Sequence, residues 1–223
     1  SAGIWLMVDV WSGNRYSSVL PYIWNTIVRL GFFLLPVFMI RLNRAMKHEQ
    51  VLARTDYLTG VLNTRSFREL AQMEINRSVR YKRPFTIAFI DIDNFKNIND
   101  TFGHSMGDIV LRTIAGSMQV HLRKTDMVAR VGGDEFVALL PETDAQTAPG
   151  VISSMQRAFL KEMNEKGWPV TFSIGALTLT APQLSVDEML GIADQMMYAV
   201  KNNGKNDFYF DIYPSEKSYA RAK

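Results

Sequence analysis

The stretch from Val19 to Ile40 limits what this chain can fold into more than any other part of it. It is largely apolar and includes the run Leu30-Gly-Phe-Phe-Leu-Leu-Pro-Val-Phe-Met-Ile40. As a helix its 22 residues would rise about 33 Å, enough to cross a hydrocarbon core. Four cationic residues follow it, Arg41, Arg44, Lys47 and Arg54, whereas only Arg15 stands in the loop before it. The positive-inside bias therefore places the C-terminal part in the cytoplasm. Tyr16, Tyr22 and Trp24 lie at the opposite end, where an aromatic belt would sit. Asn25, Arg29 and Pro36 run against this reading, because a cation at mid-span is costly unless it faces another helix or snorkels. The alternative is a buried helix of a soluble N-terminal domain. Residues 1–40 are expected to form a membrane segment, with the apolar Ser1–Trp11 as the end of an earlier membrane helix. Residues 41–54 lack Gly and Pro, which predicts a linker helix running on from the membrane and able to pair with its copy.

The net charge of +3 over 223 residues hides an asymmetry. Residues 1–54 hold 6 of the 25 Lys and Arg and 2 of the 22 Asp and Glu, leaving 19 against 20, a net −1, for residues 55–223. The basic excess belongs to the N-terminal segment and does not argue for a nucleic-acid partner. The absence of cysteine excludes disulfides and thiolate zinc sites. Three histidines, His48, His104 and His121, argue against an all-imidazole metal site, so a divalent cation would be held by carboxylates. An apolar share of 47% is ample material for a core and excludes a disordered polar chain.

Beyond Thr55 helical and extended patterns alternate. The spacing predicts a helix over Thr64–Tyr81 and, from the β-branched run Phe85–Asp91, a buried strand. A helix follows over Gly107–Leu122, with Ile109, Leu111, Ile114, Met118 and Leu122 at helical intervals. Met127–Val131, the turn Gly132-Gly-Asp-Glu135 and Phe136–Leu140 read as a hairpin. A helix over Asp144–Lys166, a strand over Val170–Ala176 and a helix over Val186–Asn202 complete the pattern. This order predicts an α/β (α+β) domain over residues 55–212, with a central mixed, partly antiparallel sheet flanked by helices, and a tail over 213–223.

Three features of that domain carry chemistry: Asp91-Ile-Asp-Asn-Phe-Lys96 at a strand end, Gly132-Gly-Asp-Glu-Phe136 at the hairpin tip, and Lys201-Asn-Asn-Gly-Lys205 after the last helix. Carboxylates at a strand end and a hairpin tip can converge on Mg²⁺, which prefers hard oxygen ligands. Glycines let backbone approach a nucleotide closely, and lysines supply charge for phosphates. Singly, each has an ordinary reading as a solvated strand end, a plain turn, or lysines on terminal carbonyls.

The strings themselves narrow the choice. Arg130-Val-Gly-Gly-Asp-Glu-Phe136 resembles the signature of the GGDEF family, the diguanylate cyclases. Asp56-Tyr-Leu-Thr-Gly-Val-Leu-Asn63 is similar to that family's opening D-x-L-T-G-L-x-N, with Val61 for Leu and then Thr64 for the usual Arg. Asp91 to Asp100, with Phe102-Gly-His-Ser-Met-Gly-Asp108, resembles its D-x-D-x-F-K-x-x-N-D and F-G-H-x-x-G-D blocks. Ser173-Ile-Gly175 and Ala193-Asp194, Tyr198 and Lys201 match its later pattern, so the resemblance covers about residues 55–210.

The resemblance implies a fold like nucleotide cyclases and polymerase palms, and condensation of two GTP into cyclic di-GMP with release of two pyrophosphates. Each subunit of a homodimer would supply half a site, at the cytoplasmic side of a bacterial inner membrane, anchored by the N-terminal helix. The resemblance further implies two Mg²⁺ per half-site, or Mn²⁺ in their place, held by Asp91, the Ile92 carbonyl, Asp134 and Glu135. Asp134 and Glu135 are taken as one unit for proton acceptance. Lys96, with the Asn94 and Phe95 N–H groups, would stabilise the transferred phosphate, and Gly132 and Gly133 would let the nucleotide close to the backbone. Lys201 and Lys205 would hold the terminal phosphates, Lys205 standing where the family usually has Arg and lacking its bidentate fork. Asn99 and Asp108 would read the guanine edge; His104 between them would touch base or ribose, or simply pack in its turn. Asp93 and Asp100 read as helix-cap or solvated acids. Arg123-Lys-Thr-Asp126 is similar to the family's R-x-x-D inhibitory product site, with a surface ion pair as its alternative. Arg77, and more weakly Arg157, would reach product on a neighbouring domain. The competing reading is a catalytically weak domain that binds cyclic di-GMP or GTP as a receptor.

Overall fold

A computed structural model of the chain describes residues 20–52 and 54–214. It separates into two units, residues 1–53 and 54–223. In the first, α1 runs without a break over Leu20–Leu52, with Pro36 inside it. The expected membrane segment and linker are thus one helix. Among the described residues it alone is long and apolar enough to cross a membrane: Ile23–Arg41 spans 19 residues at mean hydropathy 1.8. Phe32, Phe33, Leu34 and Leu35 are exposed, unlike the side chains of a core helix. The reading of Ser1–Trp11 and most of the tail after residue 213 lie outside the described residues.

The second unit holds β1 (Leu62–Asn63), α2 (Thr64–Tyr81), β2 (Pro84–Asp93), α3 (Phe95–Phe102), α4 (His104–His121), β3 (Met127–Arg130), β4 (Glu135–Pro141), α5 (Ala148–Glu165), β5 (Thr171–Thr180), α6 (Val186–Asn202) and β6 (Phe208–Tyr213). One sheet of order β1-β3-β4-β2-β5-β6 collects the strands. The β3–β4, β4–β2 and β2–β5 pairs are antiparallel, and β1–β3 and β5–β6 are parallel, so the sheet is mixed, as expected.

Both faces of the sheet are covered. Along β2, Ala88, Ile90 and Ile92 pack with residues of α3, α4 and α5, whereas Phe85, Ile87 and Phe89 pack with residues of α2 and α6. That two-residue alternation explains the almost continuous apolar run: a central strand buried on both faces needs it. The helices start where short polar side chains can cap them. Asn63 accepts the Ser66 N–H at 2.9 Å, and Ser185 and Glu188 form a reciprocal capping box on α6. At Gly175 a Cβ would collide with the Ala193 carbonyl and the Met197 N, so α6 lies directly on the backbone of β5. This close seating brings the C-terminal end of α6 to the acidic end of β2.

Several boundaries differ from expectation. β2 continues to Asp93, because Asp91 and Asp93 keep the alternation and pair with Ser173 and Thr171. β5 extends to Thr180 against the far end of β2. Glu135 is the first residue of β4 and not part of the turn. α4 begins at His104, three positions before Gly107. α5 begins at Ala148, because the Asp144 carboxylate accepts the Gln146 and Thr147 N–H groups at 3.1 and 2.9 Å and makes a turn first. The sequence reading omitted α3, β1 and β6.

Candidate active site

The acidic end of β2 sets the electrostatics. Asp91 and Glu135 are direct partners across the β2–β4 ladder, so their side chains share the sheet face covered by α2 and α6. Asp134 precedes Glu135, and its carbonyl accepts the Ile92 N–H at 3.3 Å. Like charges directly opposed on a sheet are destabilising. Burial pushes the Glu135 carboxyl up, and the charges of Asp91, Asp134 and Asp194 push it further. Burial also raises Asp91, with the Asp134 charge adding and the Lys201 hydrogen bond opposing. Lys201 comes from the last turn of α6 and places Nζ 2.7 Å from Asp91 Oδ2. Burial would lower its ammonium, but the Asp91 contact and the Asp134 and Asp93 charges raise it on balance. Lys201 is thus the cation that partly neutralises the cluster.

The turn is built around its glycines and one arginine. Neither Gly132 nor Gly133 has a positive φ. A Cβ at Gly132 would push against the Glu135 carboxylate, so glycine there lets Glu135 keep its position over the turn. Arg130 donates from Nε and Nη2 to the Gly133 carbonyl at 3.1 and 2.7 Å, and its Nη1 lies 3.2 Å from Asp56 Oδ1. Asp56 also accepts from Thr59 N and Oγ1 at 3.0 and 2.6 Å. Arg130 therefore ties the first turn of the domain to the glycine turn. Burial alone would raise Asp56, but the Thr59 hydrogen bonds and Arg130 outweigh it and hold the carboxyl below its ordinary value. Arg130→Met is expected to destabilise the domain by about 2 kcal/mol, read as a lower urea midpoint at neutral pH. A lowered carboxyl contributes stability above its ordinary value and loses it as pH falls through the folded-state value, so the two midpoints should draw closer in acid, the lost Gly133 bonds keeping a residual gap.

Opposite the turn, Asn94 leaves β2 with φ 62° and opens α3. Lys96 is exposed on the first turn of that helix, while Phe95 is buried. Lys205 reaches back and donates from Nζ to Asn94 Oδ1 at 2.9 Å. Asn99 of α3 lies against Gly107 of α4, where a Cβ would meet its Oδ1, and Asp108 is the next residue of α4. His104 is exposed at the start of α4. The cap-or-solvent reading of Asp93 does not hold. Asp93 is 2% exposed and accepts from Thr171 Oγ1 and Ser173 Oγ at 2.7 Å each and from the Asn206 N–H at 3.1 Å.

A second locus lies apart from the acids. A cleft of about 360 Å³ is lined by Arg123, Asp126, Gln119 and Leu122 on one side and Thr55, Gly60, Val61 and Leu62 on another. Asp126 Oδ2 accepts the Arg123 N–H at 2.8 Å, whereas Oδ1 is buried without a partner. Burial raises the Asp126 carboxyl despite that hydrogen bond. Arg77 is engaged elsewhere, 2.8 Å from Glu142, which also takes Arg83 at 2.6 Å. Arg157 donates to Ser153 Oγ at 2.9 Å on its own helix.

Among the described residues no three acidic or imidazole side chains already converge as a metal cage. The donor set nevertheless suits Mg²⁺, which keeps waters and is bound through one or two carboxylates plus substrate phosphates, not by an all-protein cage. Asp91, Asp134 and Glu135 offer hard oxygens whose negative charge Lys201 only partly offsets.

The family described as "Diguanylate cyclase, GGDEF domain" matches residues 53–207. The probable diguanylate cyclase DgcT of Escherichia coli K12 is 31% identical over 199 residues, covering 86% of this chain and 44% of that protein. The active GGEEF domain of a diguanylate cyclase from Vibrio cholerae is 30% identical at TM-score 0.62, over 66% of this chain and 96% of that one. The GGDEF domain of DgcB from Caulobacter crescentus in complex with c-di-GMP is 25% identical at TM-score 0.63, over 70% and 92%. The chain spans less than half the length of the first curated relatives it matches.

Proposed function

The chain belongs to the GGDEF family of diguanylate cyclase domains, and from that premise we propose that it condenses two GTP into cyclic di-GMP and two pyrophosphates. The observation that carries this reading is the opposed pair Asp91 and Glu135 with Asp134 next along the chain: the charges of Asp91 and Asp134 raise Glu135, and a divalent cation would offset that repulsion. Asp91, the Ile92 carbonyl, Asp134 and Glu135 would hold Mg²⁺, or Mn²⁺ in its place. When bound, such an ion polarises the phosphate and lowers the pKa of the attacking hydroxyl.

The protein's own groups do the rest. Lys96 and the first N–H groups of α3 meet the α-phosphate, and Lys205 with Lys201 takes the terminal phosphates. Lys201 is half-exposed and can turn from Asp91 to the phosphate tail. Asn99 and Asp108 pair with the guanine edge, and His104 sits exposed beside them. The 3′-hydroxyl of one GTP attacks the α-phosphorus of the other, its proton passes to the Asp134–Glu135 unit, and pyrophosphate leaves. Because one subunit supplies half a site, two copies must face each other.

Residues 55–212 form the cyclase domain in this reading, and α1 tethers it to a bacterial inner membrane with the domain in the cytoplasm. The apolar Ile23–Arg41 and the cations that follow it support this. Product would return to the Arg123–Asp126 cleft and restrain the enzyme, supported by the unpartnered Asp126 Oδ1.

The deciding experiment incubates the purified chain with GTP and Mg²⁺ and identifies products by mass spectrometry; no cyclic di-GMP would defeat the reading. Rate per subunit should also fall steeply on dilution from micromolar to nanomolar in detergent, tracking the dimer fraction seen by light scattering. A flat rate from a monomeric sample would rule out the two-copy site.

A further inference from the structure

We infer that Asp93 is a positioning residue, which holds a strained loop so that Lys205 stands against the phosphate-binding turn at Asn94. This rests on the proposed reading of Lys205 as a phosphate ligand. After α6 the chain passes through Gly204, Lys205 and Asn206 with φ of 112°, 64° and 51°. Two consecutive non-glycine residues in the left-handed region are costly and persist only where surroundings over-determine them. Two hydrogen bonds from backbone N–H groups hold them there. The Lys205 N–H donates to the Val200 carbonyl at 3.1 Å, and the Asn206 N–H donates to Asp93 Oδ2 at 3.1 Å. The Asp93 carboxylate is itself fixed by Thr171 Oγ1 and Ser173 Oγ, both on β5.

With the loop so anchored, the Lys205 side chain spans to Asn94 Oδ1 at 2.9 Å. Asn94 is also left-handed, with φ 62°, one residue after Asp93. Asp93 thus borders both halves of the phosphate cradle, the turn through its own chain and the loop through its carboxylate. A carboxylate suits the position because it only accepts, and three donors converge on it. An asparagine removes the charge that strengthens all three bonds and puts an NH2 where one oxygen stood, so a hydroxyl must reverse its role and the hold on the Asn206 N–H weakens.

The test is the affinity of the full chain for guanosine 5′-(α,β-methylene)triphosphate with Mg²⁺, which binds without reacting. Lys205→Ala and Asp93→Asn are each expected to weaken it roughly tenfold. The double variant should be no weaker than Lys205→Ala alone, since Asp93 acts through Lys205. Asn206→Gly, which makes the left-handed loop inexpensive, should restore affinity in the Asp93→Asn background. Turnover at saturating GTP should change less than KM. Wild-type affinity in Asp93→Asn, losses that add in the double variant, or no rescue by Asn206→Gly would overturn the inference. If Lys205→Ala keeps wild-type affinity, the phosphate reading of Lys205 falls, and this inference with it. Where Asp93→Asn is too unstable to titrate, Thr171→Val frees the same carboxylate and should cost roughly two- to threefold; unchanged affinity there also overturns it.

Discussion

Alanine at Asp134 or Glu135 is expected to lower cyclic di-GMP synthesis at least about a thousandfold, equivalent to roughly 4 kcal/mol of transition-state stabilisation. The fold should survive. The Asp134 link to β2 is made by its backbone carbonyl, and Glu135 enters the ladder through its backbone too. The more telling variant is Glu135→Gln. Glu135 is raised by burial and by three neighbouring carboxylates, so the folded state binds its proton more tightly than the unfolded chain does. A raised carboxyl costs stability at neutral pH, and the cost fades as pH falls toward the ordinary carboxylate value. Without metal, Glu135→Gln should therefore melt higher than the natural chain at pH 7, by roughly 1–3 °C for a domain of this size. The gap should close near pH 4, where both side chains are neutral. An inactive variant that melts higher would mark these acids as kept for chemistry at a cost in stability. A variant that melts lower and still makes product would defeat the assignment.

What could be read without coordinates was local. The helices Thr64–Tyr81 and Val186–Asn202 have the predicted ends, because apolar spacing and caps coincide there. The hairpin around Gly132 was legible from two apolar runs and a two-glycine turn. The omissions have long-range causes. Among the described residues β6 is an edge strand paired with β5 alone, and its pattern of half-buried residues gives a weak local signal. α3 follows a left-handed asparagine, which reads as a stop and not as a start. The site was legible as strings but not as contacts. Lys201 and Asp91 are 110 positions apart, and nothing near either announces the ion pair. Asp93 looked solvated because its donors sit on β5 and in the loop after α6. Its one sequence signal was parity: Asp91 and Asp93 stand at the positions of β2 that alternate with the buried Ile90 and Ile92.

Arg123→Ala is expected to weaken cyclic di-GMP binding ten- to a hundredfold, the loss of one charge-assisted contact of about 1.5–3 kcal/mol. The contact centres on Asp126 as much as on the arginine. Its Oδ1 is buried without a partner, and an orphaned carboxylate oxygen is expensive unless something supplies a donor. The residue lines a cleft of about 360 Å³, within the range of small-ligand sites. A guanine edge presents two adjacent N–H donors, which a carboxylate can accept while the Arg123 guanidinium stacks on the ring or grips its acceptor edge. Burial raises Asp126, so the ionised form that accepts those donors is lost at a higher pH than an ordinary carboxylate would lose it. Product affinity should accordingly begin to decline, as pH falls, at a higher pH than it would with an ordinary carboxylate. Asp126→Asn should weaken binding comparably and flatten that decline, because its amide does not titrate and presents one acceptor where two are needed. Progress curves of Arg123→Ala should run longer before slowing, since accumulated product no longer restrains the enzyme. Titration calorimetry giving the same affinity for the natural chain and Arg123→Ala would remove the cleft as the product site, and the orphaned Asp126 oxygen would then belong to some other donor.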